Sequence, residues 1–165
     1  LKRIEYLKKF NSKNKINFTK KKSRNTFIKL DNLNLNFANG RLTFLGDAFI
    51  TGGSINCSGD SLLTEEYPRA YFDCFVKIKD LNKFLKSFPN TKKNSKISNT
   101  FRVLGSINLI NKKINFKKIN IDNDLVAKDS DIKYFKETFE NILFEDGFFN
   151  IFKRNKIKEF IRAII

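Results

Sequence analysis

Few residues of this chain could carry out catalysis, and their spacing matches no catalytic pattern. The 165 residues include no histidine, so the usual base of a Ser/His or Cys/His nucleophile pair is missing. The pair Gly52–Gly53 lies between two predicted strands and does not open a helix, as a phosphate-binding loop would. The close acidic pairs, Glu65–Glu66 and Asp122/Asp124, fall in predicted turns. The sequence therefore predicts a protein that is not an enzyme and that uses no cofactor or metal.

The two cysteines, Cys57 and Cys74, allow two interpretations. Two cysteines without histidine cannot complete a zinc site, and their spacing matches no zinc pattern. Each lies in an alternating strand pattern, which favours small, buried or half-buried strand residues. A disulfide is the alternative, and it requires an oxidising compartment and neighbouring strands.

Positive charge is concentrated at both ends of the chain. The formal net charge is +16, and residues 1–24 hold ten Lys or Arg against one Glu, while residues 153–165 hold five against one. The candidates for contact with an anionic surface are Lys20, Lys21, Lys22, Arg24, Lys153, Arg154, Lys156 and Lys158. Solvated charge runs are the plain interpretation, and attraction to anionic lipid headgroups or to RNA is the functional one.

Most of the chain reads as strands, because apolar and polar residues alternate over short runs. The predicted strands cover residues 27–37, 41–50, 54–62, 69–78, 100–110 and 114–121. Asn39-Gly40 predicts a tight hairpin, since both residues tolerate positive φ, and Gly52–Gly53 predicts another turn. Bulges are predicted at Gly46 and at Lys117-Lys118.

Helical periodicity appears in three places. Asp80 is placed to cap a short helix over residues 80–88, which Pro89 ends, and residues 131–144 form an amphipathic stripe ended by Gly147. Residues 148–165 form a basic amphipathic tail that either packs on the sheet or lies in a membrane interface. The predicted fold is mostly β (α+β): an antiparallel meander forming a curved, groove-like sheet, with a C-terminal helical tail. The predicted divisions are a basic segment (1–24), the β region (25–121) and the tail (122–165).

The β region resembles the C-terminal part of an AsmA-like envelope protein of a Gram-negative, AT-rich alphaproteobacterial type. The resemblance covers about residues 25–125 and is one of architecture and spacing. The stretches that carry it are the Asn-Gly hairpin leading into 42–46, the strand 71–78 followed at once by 79–85, and the pair of strands 102–109 and 114–122. It implies that the chain is a fragment of a longer periplasmic protein tethered to the inner membrane through a segment absent here. It also implies a β-groove that carries phospholipid toward the outer membrane.

The leading hypothesis is therefore a non-enzymatic protein for lipid transport or outer-membrane assembly. Its partners would be phospholipid, a membrane surface and other envelope proteins. The strand face predicted to contact acyl chains consists of Phe72, Cys74, Val76, Phe101, Val103 and Ile107. Two alternatives stay open: a basic nucleic-acid-binding module that uses Lys20–Lys22 and the loop 92–96, and a structural or interaction domain.

Overall fold

A computed structural model describes residues 2–17, 28–86, 100–111, 113–122, 125–144, 155–157 and 159–160. The elements, in chain order, are α1 (Lys2–Lys9), β1 (Ser12–Asn17), β2 (Ile28–Ala38), β3 (Arg41–Ile50), β4 (Gly53–Leu62), β5 (Arg69–Ile78), α2 (Leu81–Leu85), β6 (Thr100–Asn108), β7 (Ile114–Ile121), β8 (Leu125–Val126) and α3 (Asp129–Phe139). A π-helical turn, Glu140–Phe144, continues α3.

The strands form one antiparallel sheet whose order follows the chain from β1 to β8. Every strand pairs with the strand before or after it in sequence, so the sheet is a simple meander. Short connections produce part of this order, because antiparallel neighbours need only a tight turn between them: two residues join β2 to β3 and two join β3 to β4. The prediction of a mostly β antiparallel meander with a short helix and a C-terminal helical part is confirmed.

Local turn chemistry fixes the connection between β2 and β3. Asn39 and Gly40 have φ values of 52° and 78°, the positive pair that a two-residue hairpin turn requires. The predicted bulge at Lys117-Lys118 is confirmed, since the β6–β7 register shifts there and leaves Lys117 without a partner. The predicted bulge at Gly46 is wrong: Gly46 pairs regularly, and the register of β2 against β3 shifts between Leu30 and Asn32.

Two N-terminal elements, α1 and β1, were not predicted from the sequence. In β1 the only apolar residue is Ile16, so no alternating pattern marks the strand. It forms because its backbone pairs with β2 from Ser12 to Asn17. The side chain of Asn11 accepts a hydrogen bond of 3.1 Å from the backbone N–H of Asn39, which ties the start of β1 to the β2–β3 turn.

The core lies at the end of the sheet where β3 and β5 finish. Ile50, Ile78, Phe84, Ile157 and Phe160 are buried there in one cluster. The short helix α2 supplies Phe84, and Asp80 caps that helix by accepting a hydrogen bond of 2.8 Å from the Lys83 backbone N–H. Because Ile157 and Phe160 belong to this cluster, the described part of the C-terminal tail packs on the sheet.

The helix α3 packs over β7 through a cluster of aromatic rings. The ring of Phe116 lies 5.0 Å from that of Phe135 and 5.3 Å from that of Phe139, both edge-to-face. The structure places this helical stretch at 129–144, two residues earlier than the predicted start. Among the described residues, no helix has the length and hydropathy that crossing a bilayer requires.

Candidate functional site

One face of the sheet is apolar, and its side chains line up in rows across the strands. The row at the middle of the sheet runs through neighbouring partners on β2 to β7 and alternates phenylalanine with glycine from β3 onward. Its members are Leu35, Phe44, Gly59, Phe72, Gly105 and Phe116. We call this set the phenylalanine–glycine row.

The glycines of this row let the aromatic rings lie down on the sheet. A Cβ atom built on Gly59 would overlap the ring of Phe44, and one built on Gly105 would lie 2.6 Å from Cζ of Phe72. Each ring therefore occupies the space that a neighbouring side chain would otherwise take, an arrangement that shields glycine in sheets. The result is a low, smooth apolar floor.

The next row carries the two cysteines in directly opposed positions. Cys57 on β4 pairs with Cys74 on β5, their Cα atoms are 4.1 Å apart, and the two residues form a disulfide. The disulfide is the second of the two interpretations that the sequence allowed. It links the central strands covalently on the apolar face.

Burial along the phenylalanine–glycine row increases from β2 toward β7. In the phenylalanine–glycine row, Leu35, Phe44 and Phe72 are half-buried, whereas Phe116 is buried with 7% of its surface exposed. The cause is α3, whose described side chains contact the face at β7. The half-buried side chains on β2 to β5 form what we call the open flank: Leu33, Leu35, Phe44, Cys57, Phe72 and Cys74.

The structure brings the six predicted lipid-contact residues together on the apolar face. Four of them form two cross-strand pairs: Cys74 lies opposite Val103, and Val76 lies opposite Phe101. All six are half-buried: Phe72, Cys74, Val76, Phe101, Val103 and Ile107.

Only part of that predicted set belongs to the open flank. Val76 and Phe101 pack against the buried cluster at the end of the sheet. The ring centroids of Phe72 and Phe116 are 6.2 Å apart, and coverage by α3 begins at Phe116.

Sequence reasoning missed the β2 and β3 members of the open flank, namely Leu33, Leu35 and Phe44. A signal for them exists in the sequence, because Gly46 and Gly59 replace large side chains on the apolar face of β3 and β4. Glycine at such positions marks a place where another group comes close to the backbone.

The opposite face of the sheet is polar and carries two cross-strand ion pairs. The guanidinium of Arg41 lies 2.9 Å from a carboxylate oxygen of Asp60, and that of Arg102 lies 2.6 Å from Asp73. The hydrogen bond from Arg102 lowers the pKa of Asp73; burial opposes this shift, and the positive charge of Arg102 adds to it. These pairs link neighbouring strands on this face, and Lys13 and Lys15 of β1 lie on the same face by register.

A shallow trough of about 440 Å³ lies on the polar face over β1 to β3. The side chains around it are Lys13, Lys15, Asn34, Asn36, Thr43 and Leu45. By register these six residues form two rows on the polar face. The row between them, Asn14, Leu35 and Phe44, belongs to the apolar face and also borders the trough. The lining includes two ammonium groups and no carboxylate, so the trough favours an anionic group.

Of the residues predicted to meet an anionic surface, only Lys156 lies in the described part of the chain. It is half-buried beside the buried Ile157. The others lie outside the described residues: Lys20, Lys21, Lys22, Arg24, Lys153, Arg154 and Lys158. The loop 92–96 also lies outside them.

In the described residues, no group of three or more His, Cys, Asp or Glu side chains is placed to hold a metal ion. Neither a protein-family profile, nor a curated protein, nor a solved structure matches the chain.

Proposed function

We propose that the chain binds the acyl chains of phospholipid on the open flank of its apolar face, as a non-enzymatic segment of an AsmA-like envelope protein. The observation that carries this proposal is the burial gradient across the phenylalanine–glycine row. An apolar strip that is half-buried along one side of a sheet attracts another apolar group, because covering it removes hydrocarbon surface from water.

The shape of the open flank suits an acyl chain. Strands lie about 4.8 Å apart, so the floor from β2 to β5 extends about 14 Å across the sheet. The rings of Phe44 and Phe72 lie over glycines, which leaves room above these two rings for an extended methylene chain. A narrow, continuous strip of this kind fits one alkyl chain better than a bulky globular partner.

The disulfide supports the compartment that goes with this proposal. Disulfides form and persist in oxidising surroundings such as the periplasm, and are rare in the cytosol of mesophiles. The bond between Cys57 and Cys74 therefore supports a periplasmic location. The inner-membrane tether and the assignment to the outer-membrane assembly pathway rest on the resemblance.

Replacing one open-flank residue by aspartate tests the proposal. We expect Leu35→Asp to abolish binding of a fluorescent fatty acid and to remove phospholipid from an organic extract analysed by mass spectrometry. The matched control is Asn36→Asp, which puts the same charge on the next residue of the same strand but on the polar face. The control should keep its lipid.

Folding is measured in parallel by circular dichroism and thermal unfolding. If Leu35→Asp unfolds the protein, Leu33→Trp serves instead, since it blocks the strip by bulk and stays apolar. A folded Leu35→Asp or Leu33→Trp protein with unchanged lipid content would contradict acyl-chain binding on this flank.

A second candidate function, binding of a nucleic acid, is favoured by the trough with Lys13 and Lys15. The absence of a carboxylate from its lining would leave both ammonium groups free for phosphate. Binding of single-stranded RNA should then weaken steeply with salt. Because each contact to a single strand contributes about 0.7 to the salt slope, Lys13→Gln/Lys15→Gln should reduce that slope by about 1.4. RNA affinity that does not depend on salt or on these lysines would rule this candidate out.

A further inference from the structure

One end of the sheet is built from α1 and three turns, and hydrogen bonds join these pieces into a row. The Asn39 backbone N–H donates to the side chain of Asn11 at 3.1 Å. The Leu63 N–H donates to the Gly40 carbonyl at 2.8 Å, which joins the β2–β3 turn to the β4–β5 turn. We call this region the tip end. It comprises residues 2–11, 39–40, 62–69, 108–111 and 113.

The β6–β7 turn completes the row and holds its apolar residues rigidly. The Leu109 N–H donates to the Pro68 carbonyl at 3.0 Å. The side chain of Asn108 accepts a hydrogen bond of 2.9 Å from the Ile110 N–H, and that of Asn111 accepts one of 3.0 Å from the Lys113 N–H. Because these hydrogen bonds order the turn beforehand, little conformational entropy is lost when Leu109 and Ile110 bind a partner surface.

Exposed apolar side chains gather at the tip end. It holds six of the thirteen exposed large hydrophobic side chains in the described residues, whereas the buried cluster lies at the other end of the sheet. They are Tyr6, Phe10, Leu62, Tyr67, Leu109 and Ile110, with exposed fractions between 39% and 76%. Single exposed hydrophobic residues are ordinary, but a group concentrated on one surface marks an interaction site.

The chemistry between these side chains indicates which partner the surface fits. The charged side chains that the structure describes at the tip end are four cations (Lys8, Lys9, Arg69 and Lys113) and three carboxylates (Glu5, Glu65 and Glu66), a net charge of +1. Its apolar groups come from α1 and the residue after it, from residues 62–67 and from the β6–β7 turn, and the four cations lie in or next to the same stretches. A bilayer accepts this arrangement, because tyrosines lie at the headgroup level and cationic side chains reach the phosphates from there.

We propose that the tip end docks on the surface of an anionic lipid bilayer, with Leu109 and Ile110 reaching the boundary of the acyl chains. This docking is separate from acyl-chain binding on the open flank. Either could occur without the other, since the tip end and the open flank are different surfaces of the sheet.

An introduced tryptophan reports the contact directly, because the chain has no tryptophan of its own. We expect the emission of Ile110→Trp to shift to shorter wavelength with vesicles of phosphatidylglycerol and phosphatidylcholine, and to be quenched by brominated lipid. The matched control is Phe49→Trp, since Phe49 is 47% exposed on the polar face of β3, away from the tip end, while Ile110 is 60% exposed. The control emission should stay unchanged.

Co-sedimentation of the 165-residue chain with the same vesicles measures the affinity. Leu109→Ser/Ile110→Ser should weaken binding about tenfold or more, while Phe49→Ser should have no effect and fatty-acid binding on the open flank should persist. Failure to bind these vesicles, or bound Ile110→Trp protein whose emission is not quenched, would overturn the proposal. Self-association that the double substitution removes would also overturn it, and would identify a second copy of the chain as the partner.

Discussion

Removing the disulfide should destabilise the fold by an amount that follows from the loop it closes. Cys57 and Cys74 are 17 residues apart in sequence. A cross-link that closes a loop of this size restricts the unfolded chain and contributes about 3 kcal/mol in the chain-entropy description. For a chain of 165 residues, a loss of this size lowers the midpoint of thermal unfolding by roughly 6–12 °C.

The measurement is thermal unfolding of the oxidised protein, of the protein with reductant, and of Cys57→Ala/Cys74→Ala. The reduced protein and the double variant should both unfold below the oxidised protein and close to each other. Adding reductant to the double variant is the control and should leave its midpoint unchanged. Thiol titration of the oxidised, denatured protein should detect no free thiol.

Two results would refute this reasoning. If the reduced and oxidised proteins unfolded within about 1 °C of each other, restriction of the unfolded chain would not be a source of stability here. If only the double variant lost stability, the effect would come from lost packing of the two sulfur atoms on the apolar face and not from the cross-link.

Three further predictions concern the sheet itself. Gly105→Ala should lower the free energy of unfolding in denaturant by about 1–3 kcal/mol, because its Cβ would lie 2.5 Å from a backbone oxygen of β7. Gly46→Ala should lower it less, because the nearest atom to its Cβ is a leucine methyl at 3.3 Å. Equal losses in the two variants would contradict this account. Phe116→Ala should lower the free energy of unfolding by about 3–5 kcal/mol, since the buried ring contacts the rings of Phe135 and Phe139 in α3. A loss below about 1 kcal/mol would mean that packing of α3 on this face adds little stability. Arg102 lowers the pKa of Asp73. The pair therefore adds stability above the ordinary carboxyl pKa of 3.8, and this stability is lost as pH falls through the lowered pKa. Asp73→Asn should flatten the acid side of the stability–pH curve, and an unchanged curve would contradict the shift.

Register is the property that decides how much of the site the sequence could predict. Where two strands are joined by a two-residue turn, the turn fixes the partners, so Asn39-Gly40 alone places Leu35 opposite Phe44. The connection between β4 and β5 has six residues, 63–68, and a connection of that length is compatible with more than one register. For that reason the sequence could not decide whether Cys57 and Cys74 face each other.

The elements that sequence reasoning missed have a different cause. β1 is a strand because its backbone pairs with β2, and its five polar residues and Ile16 give no alternation to detect. Which part of the apolar face is covered depends on where α3 and residues 155–157 and 159–160 pack. These contacts join parts of the chain that are far apart in sequence. Alternation predicts that a face is apolar, but it does not predict what lies over it.

The position of the disulfide connects stability with the proposed function. A sheet face gains stability when helices cover it, but a face that binds a ligand must leave part of itself uncovered. Here α3 and the tail cover β7 and the end at Ile50 and Ile78, while the flank from β2 to β5 is half-buried. The bond between Cys57 and Cys74 lies within this flank. A covalent link therefore adds stability where the described helices do not pack, and its two sulfur atoms stay part of the apolar surface proposed to contact an acyl chain.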